Sequence, residues 1–445
     1  MISEEENRTA RLALQLALAK GAQKARVTLA KSQEDLVATL NGETDRVTRC
    51  LDRSMNLNLF VDGRYGVFST NKLDEASLNS FIEEAVRMVR MLSEDSCRDL
   101  PAPQRCCKTA VTGNELDLLD PAYMDMDPER RKRIALDASV WGKAENGAFT
   151  LVSEEGEYSD SIYETLLLDS NGTECRHAET SYDYGVELTI EAGGEKYSGY
   201  WWASSSRLEN LAYAECGSIA LQRAAAQIGA RGIKSGKYNM VVESDVASKM
   251  VSPILNALNA YSIQQNNSFL MDSKGKKVFP EGLTIMDLPH IKGQNCSKLF
   301  DSEGVATVEQ PIIKDGVVKM YFVNTYMSAK LGMEPGIEEA TRPAVAPWPV
   351  GGLDKDAIME RCSEGILVTG FNGGNCNSAT GDFSYGIEGQ YFKNGKCIRP
   401  VSGMVVTGNF PDLWSRFLAA GDDARDCMSK LIPTLAFANA DFSGE

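Results

Sequence analysis

A chain of 445 residues, 43 % hydrophobic and 24 % charged, is long enough for two or three domains with cores of their own and falls outside the disordered and fibrous classes. Its formal net charge of −16 sets it against a phosphate backbone, so no nucleic-acid partner is expected.

In chain order, Ser3 to Lys20 reads as a helix, with Ser3 as N-cap, acids in the first turn and Gly21 as the stop. Strand-like runs follow at Ala25–Lys31, Leu36–Asn41, Arg46–Leu51, Asn56–Val61 and Tyr65–Thr70, punctuated by the turn pairs Asn41-Gly42 and Asp62-Gly63. Asp74 to Met91 returns to helical spacing, with Leu78, Phe81, Ile82, Val86, Val89 and Leu92 on one side. Asp99 to Asn114 has no periodicity and reads as a linker.

The pattern then repeats. A helix is expected over Asp127 to Glu145, strands at Phe149–Ser153, Ile162–Asp169, Glu174–Thr180, Tyr184–Ile190 and Tyr197–Ala203, and a closing helix over Leu208 to Ile228. LNGETDRV near Leu40 is similar to SNGTECRH near Ser170, which suggests an internal duplication. The expected fold is therefore α+β: two helix-flanked antiparallel-sheet units, 1–105 and 106–232, followed by a large β-rich domain, 233–445. In that last part Tyr238–Glu243 reads as a strand and Val246–Tyr261 as helical. Pro253 interrupts the helical run at an expected cost of about 3 kcal/mol, so a fresh helix capped by Ser252 is the expectation.

The stretch Thr380 to Asn409 gathers glycines, an acid, a phenylalanine and the hairpin pair Asn394-Gly395. It suits ligand contact, although glycines also serve turns. Eleven cysteines, an odd number without a C-x-x-C pair, read as reduced and intracellular. The apolar run Leu12–Ala19 follows Glu4, Glu5 and Glu6, where a secretory signal would carry positive charge, and no run reaches the roughly 18 apolar residues of a membrane span. A cytoplasmic protein is expected, with no membrane partner.

A catalytic apparatus is hard to find. There are two histidines, His177 and His290, far apart and without zincin spacing. No G-x-S-x-G elbow occurs. Gly232–Lys237 has the wrong spacing for a phosphate loop and leads into a strand. Paired acids such as Asp301 and Glu303 could serve acid/base chemistry, but turn acids of this kind usually face solvent.

Five motifs in order then stand out: Ser268-Phe269-Leu270, Phe300–Val305, Ile313–Val317, Asn324-Thr325-Tyr326, and Thr380–Ser384 with Gly408-Asn409. Together they resemble the TldD/PmbA family, and Asp52–Ser69 with the helix ending before Asp99-Leu100-Pro101 is similar to that family's first domain. The resemblance implies a two-subunit zinc peptidase whose TldD-type catalytic chain carries His-Glu-x-x-x-His on a helix early in the last domain. The equivalent segment here, Asp245–Ala260, contains neither histidine nor glutamate, so the chain resembles the PmbA (TldE) type, traditionally named a modulator of DNA gyrase.

The resemblance thus implies a chain with no catalytic residues and no metal of its own. A zinc ion would sit in a TldD-like partner of a heterodimer, with a homodimer open to the isolated chain. A peptide substrate would pass between the subunits. Gly381, Asp382, Phe383, Ser384 and Arg342 are the expected substrate-groove residues, with Gly381–Ser384 accepting an extended peptide by strand addition. Competing readings are a stand-alone hydrolase using Ser384, Thr380 or Cys397, a metal held across a homodimer, and a gyrase-binding protein.

Overall fold

The structure, a computed structural model, describes residues 2–143 and 147–444. Helix α1 (Glu4–Ala19) opens with a complete capping box, Ser3 Oγ accepting from Glu6 N and the Glu6 side chain accepting from Ser3 N. Strands β1 (Lys24–Leu40), β2 (Glu43–Val61) and β3 (Arg64–Thr70) follow, then α2 (Glu75–Val89). Asn41-Gly42 and Asp62-Gly63 both have positive φ, as the two-residue hairpin turns require.

The second unit repeats this order with α3 (Pro128–Asp137), β4 (Thr150–Asp169), β5 (Glu174–Ala192), β6 (Glu195–Ser205) and α4 (Cys216–Ala225). The two meanders are not separate sheets. They join through an antiparallel β1–β4 ladder into one six-stranded sheet of order β3-β2-β1-β4-β5-β6, symmetric about that central pair.

Pairs of runs that the sequence separates are fused in the structure, because the polar residues between them find cross-strand partners. Asp35 faces Arg49 across β1–β2, and Arg49 Nε donates to its carboxylate at 2.7 Å. Arg131 of α3 adds a contact to Asp35 at 3.3 Å and grips the fully buried Asp160 of β4 with two hydrogen bonds of 2.7 and 2.8 Å. All four helices lie on one face of the sheet. Val27, Leu29, Leu166 and Leu168 pack against α1 and α2, while Val37, Tyr158, Tyr184 and Val186 pack against α3 and α4.

Helix α3 is shorter than its expected span, for Ser139 and the Val140 N–H turn instead to the buried Glu154 carboxylate. Ala144 and Glu145 at the end of that span lie outside the described residues. The expected helix over Leu208–Ile228 is divided into a 3₁₀ turn, Leu208–Asn210, and α4, with Asp120 accepting from Leu208 N at 2.9 Å. The aperiodic segment 99–114 is tied down as well: Cys107 N donates to Gly304 O, and Ala110 O accepts from Arg176 N.

The C-terminal part begins with β7 (Gly236–Val242), α5 (Ser244–Ala257) and α6 (Ala260–Gln264). A small sheet follows, of β8 (Ile285–Asp287), β9 (Gln310–Lys314) and β10 (Val317–Val318), with α7 (Thr325–Leu331) before its edge strand β11 (Pro343–Val345). After α8 (Lys355–Cys362) come β12 (Glu364–Cys376), β13 (Asp382–Lys393), β14 (Lys396–Asn409), α9 (Phe410–Ser415), β15 (Phe417–Ala420) and β16 (Leu435–Ser443). Strands β14, β13, β12, β7 and β16 are neighbours in that order. Since β14 also pairs with β16, this sheet closes on itself. Met240, Val242, Ile366 and Val368 face the core around α5, and Val241 and Leu367 face α8. The whole is α+β, with antiparallel sheets and a β-rich C-terminal region.

Pro253 does not start a new helix, contrary to expectation. It lies inside α5, where Met250, Val251, Ile254 and Leu255 are all buried. Each such side chain is worth roughly 1.5–3 kcal/mol, together more than the interior-proline cost of about 3 kcal/mol.

Candidate functional site

Helix α5 turns its apolar stripe into the core and its polar stripe outward. Ser248, Lys249, Ser252, Pro253 and Asn256 fall on that second face by the 3.6-residue period. They form one wall of a cleft of about 370 Å³, closed on the other side by Phe269, Gly374, Asn375, Cys376, Ser378 and Tyr385.

The opposite wall owes its shape to a bulge in β12. The β12–β13 register shifts between Phe371 and Gly374, and Gly374 takes φ +94°, with Ser384 O where a Cβ would stand. Behind it stacks an aromatic group. Phe269 lies parallel to Phe410 at 6.2 Å, Phe383 is 4.8 Å from Phe410, and Tyr385 is 5.3 Å from Phe383.

Lys249 Nζ sits 4.5 Å over the Tyr385 ring. Burial, with the nearby Cys376, pushes the Tyr385 hydroxyl up to about 12. Burial and then Asp382 push the Cys376 thiol up, so it is no activated nucleophile.

The first turn of α5 is locked to the N-terminal region. Asp245 binds Arg223 of α4 and Arg425, whose guanidinium lies 4.1 Å over Trp201 of β6. Glu243 adds Arg223 and Lys355, each at 2.8 Å. Burial raises the Asp245 carboxyl against the pull of both arginines.

Of the expected groove residues Gly381 abuts the cleft wall at Phe269, and none of them is among the residues that line the cleft. Gly381 is buried behind Phe269. The exposed Asp382 closes the preceding turn, accepting from Thr380 Oγ1 at 2.6 Å and Asn409 Nδ2 at 2.9 Å. Phe383 is core, and Ser384 is exposed on the other face of β13. Strand addition at Gly381–Ser384 has no room, because β13 is already paired on both sides: Ser384 faces Asn375 of β12 and Thr407 of β14.

Arg342 is no wall residue either. It is 0 % exposed, and its guanidinium donates to Gln294 Oε1 at 2.7 Å, Asp426 O at 2.8 Å and Asn295 O. The histidines stay apart: His177 Nε2 is 3.3 Å from Glu179 Oε2, and His290 Nε2 is 3.0 Å from Thr307 Oγ1. The cleft face of α5 was the missed feature. Its sequence signal is the polar spacing Ser248, Ser252, Asn256 opposite the Met250, Ile254 stripe.

The model of the PmbA/TldA metallopeptidase C-terminal domain matches residues 235–444, and that of the central domain of the same family matches 124–228. The chain belongs to the PmbA/TldD metallopeptidase family. Among its relatives, the metalloprotease PmbA of Escherichia coli O157:H7 is 26 % identical over 435 residues, covering 96 % of this chain and 94 % of that one. The PmbA homologue of Haemophilus influenzae is 27 % identical over 438 residues, covering 94 % and 92 %.

A crystal structure of a Bacteroides thetaiotaomicron protein named for modulation of DNA gyrase superposes with TM-score 0.95 at 36 % identity over 100 % of both chains. TldE of Thermococcus kodakarensis shares the fold, with TM-score 0.84 at 16 % identity, covering 98 % and 100 %.

The family is one of metallopeptidases, and the cleft residues do not fit the zinc that the sequence resemblance implies. The spacing His-Glu-x-x-x-His, laid on the cleft face of α5, meets Ser248, Lys249 and Pro253: a hydroxyl, an ammonium and a ring without a donor. Zinc takes thiolate, imidazole or carboxylate, and Cys376 alone in the cleft offers one of these. Among the described residues no group of three or more His, Cys, Asp or Glu is placed to hold a metal ion.

Proposed function

We propose that this chain is the PmbA/TldE-type subunit of a cytoplasmic TldD/TldE metallopeptidase, without a zinc site of its own, holding and presenting peptides to a TldD-like catalytic partner. One observation carries the reading. Where the resembled catalytic chain carries its metal motif, α5 presents Ser248, Lys249, Ser252, Pro253 and Asn256 to an open cleft. That cleft has two aromatic walls, Phe269 and Tyr385, and several neutral hydrogen-bonding groups, a lining suited to holding a chain end.

Nothing favours the stand-alone hydrolase. Thr380 spends its hydroxyl on Asp382, among the described residues neither histidine is bonded to Ser384 or Cys397 as a base, and burial pushes the Cys397 thiol up. The test is reconstitution with a His-Glu-x-x-x-His-containing homologue. The two chains should co-purify, and zinc-dependent peptide hydrolysis should need both. Metal-dependent hydrolysis by the single chain would sink the reading, as would failure to find any such partner by pull-down.

A further inference from the structure

The cleft beside α5 differs in charge character from the chain's acidic balance. The chain carries a net −16, yet among the described residues the cleft lining contains no aspartate or glutamate. The one charged side chain among those described there is Lys249, which makes no ion pair among the described residues and rests over Tyr385. The same cleft is lined by the Ser248, Ser252 and Ser378 hydroxyls and the Asn256 and Asn375 amides, all capable of donating.

A second groove, about 650 Å³ on the open face of the six-stranded sheet, has the opposite sign. It is lined by Asp45, Glu155, Glu157, Asp183 and Glu187, and its Arg46 lies 3.7 Å from Glu157.

One cation in a cleft otherwise lined by neutral donors matches a monoanion. Resting on the peptide-holding reading above, we propose that this cleft is a carboxylate site, in which Lys249 and the lining hydroxyls and amides receive a peptide carboxylate while Phe269 and Tyr385 flank the adjoining side chain. The carboxylate has two sources, a free C-terminus or an acidic side chain. Lys249 would then act as a binding and positioning residue with no part in bond cleavage.

The test is isothermal titration of the full chain with N-acetylated ten-residue peptides of Gly, Ala, Ser and Leu in three forms: free C-terminal acid, C-terminal amide, and amide with a penultimate glutamate. At low salt at least one carboxylate form should bind tighter than the plain amide by about tenfold, as for a charge-assisted contact in a partly buried cleft. Which form does so identifies the source.

The preference should vanish in Lys249→Met and Lys249→Gln and persist in Lys249→Arg. Equal binding of all three peptides would overturn the carboxylate site and leave the peptide-holding reading standing. A preference undiminished in both neutral variants would also overturn it. Absence of binding by every form would overturn both.

Discussion

Arg425 Nη1 lies 2.7 Å from Asp245 Oδ1, tying the segment before β16 to the first turn of the cleft helix. The same guanidinium covers Trp201 and donates to Trp202 O, so one side chain joins the six-stranded sheet to the C-terminal part.

Breaking that joint should cost more than a surface pair would. Asp245 is 13 % exposed and shared by two arginines, and stranding one member of such a buried pair costs about 3–5 kcal/mol. Arg425→Met and Asp245→Asn should each lower the urea midpoint. Fluorescence of Trp201 and Trp202 should report loosening at the joint before the main transition. Unchanged midpoints would show the network to be ornamental.

Asp301 sets a pH dependence. Its carboxyl accepts from the Glu303 and Val305 N–H groups, yet burial first, and then Glu338 and Glu303, push it from 3.8 up to about 7. A raised carboxylate pKa means the folded state keeps a proton that the unfolded chain has lost. Stability contributed by this group is therefore full below about pH 4, falls as pH rises to about 7, and is level above. Because Asp301 keeps some solvent contact, the change should be roughly 1–2 kcal/mol rather than the full linkage value. Asp301→Asn should flatten the stability profile between pH 4 and 7. A profile as steep in the variant as in the parent would remove Asp301 as its cause.

Arg342 should behave as a structural residue. With three acceptors on its buried guanidinium and its own N–H bonded to Asp287 Oδ1 at 2.7 Å, Arg342→Ala should destabilise the fold by about 2–4 kcal/mol. Peptide affinity of the protein that remains folded should be unchanged. A loss of peptide affinity at full stability would return Arg342 to the substrate path.

The sequence revealed hairpins better than strand lengths. Asn41-Gly42, Asp62-Gly63 and Asn394-Gly395 need positive φ at both residues, a local demand that shows in composition. The continuity of β1 through Ser32–Asp35 does not show, because Asp35 is satisfied by Arg49 and Arg131 from 14 and 96 positions away. The cleft was half legible for the same reason. The glycine-rich block gives the cleft Tyr385 of β13, but most of the lining comes from its neighbour β12 and from the polar stripe of α5, and only the β12–β13 register brings Asn375 and Cys376 beside Ser384 and Phe383. Asp301 has the hydrogen bonds expected of a turn acid but only part of the solvent.

Gly381 links that block to the cleft, and it gives the sharpest test of the relation. It has φ +82°, and a Cβ there would stand 3.1 Å from Pro411 and 3.2 Å from Phe269. Alanine must therefore accept a left-handed conformation, at about 1–2 kcal/mol, and also displace a neighbour. Pro411 is fixed by its ring at the start of α9, so the half-buried Phe269 is the side chain that yields. Gly381→Ala should lower stability by about 2 kcal/mol through strain and crowding together. It should also weaken peptide binding, because Phe269 is a cleft wall. Gly381→Ala with Phe269→Leu should recover much of the stability by making room, but not the aromatic contact, so affinity should stay low. If the double variant regains neither, the glycine serves the turn Asn377–Gly381 alone, whose N–H to carbonyl bond of 2.7 Å would then be the whole of its role.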